Sequence, residues 1–129
     1  MIGAAAELQA AALAALEAAA GIGGVYPGPP VQAAFPYAMV ECGPETDWSH
    51  KEAKGREVRL AVVIRDKGER PGRVQALLGE AEAALETLAG TIGGWRLVSF
   101  NFLRSRLVKD GGGSWAGTVE FRARLLALQ

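Results

Sequence analysis

Apolar and polar residues alternate along two stretches of the chain, and these set the expected core of the fold. In the first, over residues 56–66, Val58, Leu60, Val62 and Ile64 share one side of a strand while Glu57, Arg59 and Arg65 share the other. In the second, over residues 115–126, Val119, Phe121, Ala123 and Leu125 oppose Thr118, Glu120, Arg122 and Arg124. Both read as half-buried strands, the first of them central. Residues 35–42 give another strand, entered through Pro36 and therefore expected at an edge. Residues 95–108 give a fourth, which Gly111-Gly112-Gly113 joins to the last strand as a hairpin.

A helical period governs two other segments. After Pro71, a residue type suited to a first helical turn, Val74, Leu77, Leu78, Ala81, Leu85 and Leu88 recur on one stripe, and Gly90 closes the segment. Residues 4–20 are mostly alanine, with Leu8, Leu13 and Leu16 forming a narrow apolar stripe, and Gly21 ends the helix. Glycines and prolines keep residues 23–30 irregular. Gly21-Ile22-Gly23-Gly24 follows a helix, whereas a phosphate-binding glycine loop follows a strand and opens a helix, so nucleotide binding is not expected.

The order αββαββ predicts one α+β domain over residues 1–129: a four-stranded, mostly antiparallel sheet with two helices packed on one face. The other face then carries Glu57, Arg59, Arg65, Glu120, Arg122 and Arg124. Cross-strand pairs among them contribute roughly 0.2 to 1 kcal/mol each. Such a face reads either as solvated or as a subunit interface.

Charge and cysteine content narrow the function classes. Fourteen basic and fourteen acidic residues cancel, so no overall field draws the chain to nucleic acid or to an anionic membrane. Cys42 is the only cysteine and His50 the only histidine, too few for a zinc site or an intrachain disulfide. A reducing compartment is the expectation. The apolar N-terminus lacks a basic leader region and carries Glu7, Gln9 and Glu17, so it reads as a helix and not a signal peptide. No apolar run reaches the roughly 20 residues a bilayer span needs. No cofactor is expected.

Residues 45–57 form the most polar stretch. Glu45-Thr46-Asp47-Trp48-Ser49 reads as a turn whose acids cap backbone amides, followed by a mobile charged loop containing Lys51, Glu52 and Lys54. Ser49 and His50 are sequence neighbours whose side chains point apart on an extended chain, an arrangement poorly suited to nucleophile activation. An enzyme using Asp47 and His50 would need a deep pocket beside them. Trp48 either folds back over the core or anchors a partner. Cys42 reads as a small buried hydrophobe.

Several segments together carry a family likeness. They are the alanine-leucine helix, Gly24-Val25-Tyr26, Phe35-Pro36-Tyr37, Glu45-Thr46-Asp47-Trp48-Ser49, Gly55-Arg56-Glu57-Val58-Arg59-Leu60 and Phe121-Arg122. The chain resembles the tail-completion family of long-tailed bacteriophages over nearly its whole length. The resemblance implies a structural virion protein without catalysis or cofactor: a tail terminator forming a ring, usually of six copies, that caps the tail tube and joins it to the head connector or stopper protein. DNA would only pass through the ring, and no membrane is involved. The implied location is the head-proximal end of the virion tail, after assembly in the bacterial cytoplasm. The alanine- and glycine-rich composition suits a high-GC genome, with a prophage or a gene transfer agent as source. The residues expected at interfaces are Asp47, Trp48, Lys51, Lys54, Arg59, Arg65, Arg122 and Arg124. A small-molecule or protein-binding regulatory module is the alternative reading, with an enzyme behind it.

Overall fold

Val58, Leu60, Val62 and Ile64 are fully buried along the strand that the alternation predicts, and the sheet is built outward from it. The computed structural model describes residues 1–19 and 21–128. Ala20, the expected last residue of the first helix, and Gln129 lie outside the described residues. The elements run α1 (Ala4–Glu17), β1 (Val25–Tyr26), β2 (Tyr37–Asp47), β3 (Gly55–Lys67), α2 (Gly72–Leu85), β4 (Thr91–Ile92), β5 (Trp95–Lys109) and β6 (Ser114–Ala127). They form one six-stranded sheet in the order β1-β2-β3-β6-β5-β4.

The expected four-stranded sheet is therefore corrected to a six-stranded mixed one, although the α+β character holds. Both additional strands are two residues long, too short to show any period. In β1, Val25 and Tyr26 pair parallel with Ala38 and Met39 of β2, inside a segment whose glycines and prolines suggested irregular chain. In β4, Thr91 and Ile92 fold back onto Arg96 and Trp95 through Gly93-Gly94. Gly93 has φ +55°, and the carboxylate of Glu7 packs where a β-carbon would stand. Only glycine meets both demands.

Strand β2 is also longer than the apolar pattern predicts. It begins at Tyr37 and does not stop at Cys42: the ladder with β3 slips at Gly43-Pro44 and resumes as Glu45↔Val58, Thr46↔Glu57 and Asp47↔Arg56. The acidic residues expected in a turn are thus the end of a strand. A bulge inserts chain without ending the pairing, and the polar composition of this stretch resembles that of a loop.

Both helices contribute to the cluster that the sheet's apolar face buries. In α1 every fourth residue is buried, namely Ala4, Leu8, Ala12 and Leu16, so alanine methyls fill positions between the leucines while Leu13 is only half-buried. In α2 the buried residues are Val74, Leu77, Ala81 and Leu85. Leu78 is half-buried, and Leu88 packs on the core from beyond the helix end. The approach of α2 to β6 is closest at Gly117, where an added β-carbon would lie 2.6 Å from Leu78 and 2.7 Å from Val74.

The sheet curls around the helices as a half-barrel, and α1 touches β1 at one end of the strand order and β4 at the other. The indole Nε1 of Trp95 donates a 2.9 Å hydrogen bond to the carbonyl of Ile2, fixing the start of the chain to the start of β5.

Candidate functional site

The strand registers place the charged residues of the helix-free face in rows across the sheet. One row runs Thr46, Glu57, Arg124, Ser99. Within it Arg124 Nε donates to Glu57 Oε1 at 3.0 Å. The Arg124 guanidinium also sits 5.4 Å from the centre of the Trp48 ring, within cation-π range. The next row sets Arg59 directly opposite Arg122. Like charges in that position repel, and the carboxylates of the flanking rows offset this: Arg122 Nε lies 4.0 Å from Glu57, and Arg59 and Arg104 both act on Glu120. A third row runs Glu41, Ala61, Glu120, Arg104. Here Arg104 Nε donates to Glu120 at 2.5 Å, and this bond is the main reason the Glu120 carboxyl is held below its usual range.

The residues that the sequence nominates do not all meet. Trp48 and Arg124 meet near the Gly55 end of β3, and the Arg59–Arg122 pair lies two residues further along the strand. Trp48 is half-buried against Arg124, with its ring edge-to-face on His50 at 4.6 Å, so it packs on the helix-free side and not in the core. Arg65 stands towards the other end, 3.0 Å from Asp110. Asp47 lies at the end of β2, 3.5 Å from Arg56. Lys51 and Lys54 are exposed on the connection that follows.

The connection from residue 48 to 54 is tied at several points. His50 and Ala53 bond through both their backbone groups, at 2.8 and 3.3 Å, and the carbonyl of Lys54 accepts from Ala127 N at 2.8 Å. The Ser49 hydroxyl donates to Asp47 Oδ1 at 2.5 Å and accepts from Gly55 N at 3.0 Å. The Ser49 bond is the leading cause that lowers the Asp47 carboxyl. At Gly55 a β-carbon would meet the Trp48 carbonyl oxygen and the Leu126 side chain, so only glycine lets the two chain segments approach this closely.

Arg104, Arg106 and Glu41 also occupy the helix-free face and were not among the expected residues. For the two arginines the reason is physical. The β5 ladder slips between Leu97 and Ser99 and again between Phe102 and Arg104, so the outward residues change parity along the strand, from Arg96 to Ser99 and Asn101 and then to Arg104 and Arg106. Strict alternation cannot follow two bulges.

Around Asp47 and His50 the side chains engage one another. Ser49 is engaged by Asp47, and the His50 ring faces Trp48. Clefts of about 400, 540 and 160 Å³ lie between α2 and β5, between the ends of α1 and α2, and beside the Gly43-Pro44 bulge. None of these three is lined by Asp47, Ser49 or His50. Burial pushes the half-buried Cys42 thiol up to about 12, with the Glu45 charge adding to the effect. Among the described residues, no group of three or more His, Cys, Asp or Glu side chains is arranged to hold a metal ion. None of the described helices is long and apolar enough to cross a membrane.

Comparison with known proteins supplies what the site chemistry does not. Curated protein sequences returned no match. Among solved structures, the fold matches a chain of the virion of a native gene transfer agent particle with a TM-score of 0.78 and 25% sequence identity. The match covers 98% of this chain and 100% of that one. The family described as tail completion protein gp17 matches residues 4–126, leaving three residues unmatched at each end. A family match over almost every residue, with a likeness of fold to a chain of a virion along nearly its whole length, shows that this chain belongs to the tail completion protein gp17 family, structural proteins of phage-type virion tails.

Proposed function

We propose that the protein is a tail terminator: copies of it close into a ring, of six subunits, that caps the finished tail tube and joins the tail to the head connector or stopper protein. The observation that carries this reading is the end-to-end likeness to a chain of a gene transfer agent virion, with nearly the whole of both chains matched. Membership of the tail completion family agrees with it.

The physical requirements of such a role are few, and the fold suits them. A ring of identical subunits needs two different surfaces that complement each other, and a joint needs a third for its neighbours. Alternating charges on the helix-free face, from Glu57 to Arg124 and from Glu120 to Arg104, can set register between protein surfaces without catalysis. In this reading the joint sits at the head-proximal end of the tail, assembles in the bacterial cytoplasm, takes no cofactor, and lets DNA pass through its centre. Asp47, Trp48, Lys51, Lys54, Arg59, Arg65, Arg122 and Arg124 are the residues proposed to meet neighbouring subunits or the tail tube.

Deletion of the gene from the producing strain tests the proposal. The expected result is full heads and separate tails that fail to join, with joining restored by the gene supplied in trans. Normally joined particles in its absence would overturn it. A regulatory binding module would leave particle assembly intact and sediment as a monomer or dimer.

A further inference from the structure

The outermost strands, β1 and β4, are two residues long, so most of β2 and of β5 has no strand beyond it in the described chain; on β2 the carbonyl of Val40 accepts instead from Gln9 Nε2 at 3.0 Å. Among the described residues, β4 pairs only with Trp95 and Arg96 of β5, and β1 only with Ala38 and Met39 of β2. Beyond these short covers, β5 presents a long free edge, with Val98, Phe102 and Val108 between 41% and 46% exposed. Bulges in β5 and the Gly43-Pro44 bulge in β2 limit unselective pairing at these edges, and what remains uncovered can receive a chain of complementary charge.

The two edges differ in charge. β5 carries Arg96, Arg104, Arg106 and Lys109 and no acidic residue, whereas β2 carries Glu41, Glu45 and Asp47 and no basic one. One cross-sheet row ends in Glu41 at the β2 edge and in Arg104 at the β5 edge. Glu41 has no ion-pair partner within the described residues. Three antiparallel steps separate β2 from β5, so the two strands run in opposite directions.

We propose that the basic β5 edge of one copy docks against the acidic β2 edge of the next, so that the sheet continues from subunit to subunit. This rests on the ring reading above and names the surfaces that close the ring. Rotation about an axis along the strands carries one sheet into the next without changing the level of its rows. Glu41 of one copy then meets Arg104 and Arg106 of its neighbour, and the strands that meet are antiparallel. Opposite charges fix this pairing, and like charges oppose the contact of β5 with β5 or of β2 with β2. The contact is head to tail, which lets a ring close.

The test is a charge exchange read by sedimentation velocity. One variant combines Arg104→Glu with Arg106→Glu; the other is Glu41→Lys. Circular dichroism first establishes that both remain folded. The wild-type chain is expected to form a discrete higher oligomer, each variant by itself to lose it, and an equimolar mixture to regain it. In the mixture, alternation of the two variants makes every contact attractive. Variants that assemble alone as the wild type does would overturn the edge pairing and leave the edges to another protein. A mixture that stays dissociated while both variants are folded would overturn it too. Either result leaves the ring reading standing if the wild type still assembles. A wild type that remains monomeric at every concentration and salt would overturn the ring reading, and this inference with it. As an independent check, Glu41→Cys with Arg104→Cys in a Cys42→Ser background should give disulfide-linked multimers under oxidation, and strictly monomeric product would contradict the pairing.

Discussion

Arg73, in the first turn of α2, grips the carboxylate of Asp66 at the end of β3 through two hydrogen bonds, Nε to Oδ2 and Nη2 to Oδ1, each 2.5 Å long. Asp66 is buried while Arg73 remains largely exposed, and Asp66 also accepts from Lys67 N at 2.8 Å. The pair pins the start of a helix to the strand that precedes it. The Arg73 bond is the main cause holding the Asp66 carboxyl below its usual range.

Replacing Asp66 by asparagine should therefore cost about 1 to 2 kcal/mol at neutral pH, the lower part of the range for bonds to charged groups, because water reaches Arg73. A group with a depressed folded pKa adds stability that is fully present above its unfolded pKa of about 3.9 and is lost as pH falls through the folded value. The gap between wild type and Asp66→Asn in urea melts should accordingly be widest near neutrality and close in acid below about pH 4.

Gly55→Ala should destabilise the fold by about 1 to 3 kcal/mol, since the new methyl meets the Trp48 carbonyl backbone and neither segment can yield freely. Thermal denaturation compares it with Gly28→Ala, where a β-carbon has no neighbour within 4 Å and only a small change is expected.

Leu85 is fully buried and Leu78 only half-buried. Leu85→Ala should cost about 2 to 5 kcal/mol, and Leu78→Ala distinctly less. Equal losses in denaturant melts would show that the stripe of α2 is seated differently.

Lys51→Glu with Lys54→Glu should leave stability within about 0.5 kcal/mol of wild type, as both side chains are exposed. If this turn docks to a neighbour or to the tail tube, the double variant should fail to complement a deletion strain while folding normally. Full complementation would remove the turn from the interface.

Cys42 should react slowly with iodoacetamide at pH 8, because burial keeps the thiol protonated far above that pH. Alkylation in urea should restore the rate of an ordinary thiol, and fast labelling of the native chain would contradict the burial.

How legible the fold was depended on where a period could run uninterrupted. The alternation of β3 and β6 exposed their buried faces in the sequence, and the stripe from Val74 to Leu85 marked α2. The alternation in β5 breaks at two bulges, and that hid Arg104 and Arg106 from the candidate face. The end of β2 was hidden by its own polarity, since Glu45, Thr46 and Asp47 pair on a strand while having the composition of a turn. Two-residue strands such as Val25–Tyr26 depend on tertiary neighbours and leave no local trace. The opposed charges of Glu57 and Arg124 were readable because both lie on strands without bulges between them.

The contact of α1 with β1 at one end of the sheet and β4 at the other makes this helix a brace across the open side of the half-barrel. Two of its four buried side chains are the methyl groups of Ala4 and Ala12, which let the helix lie closer to the strands at those turns than at Leu8 and Leu16. A bulkier residue at Ala12 would push the brace outward and flatten the sheet. In a ring of the kind proposed above, the angle between successive copies would then fall. In the proposed ring, the bore and the number of copies would thus be gauged by a few methyl groups on the buried side of one helix.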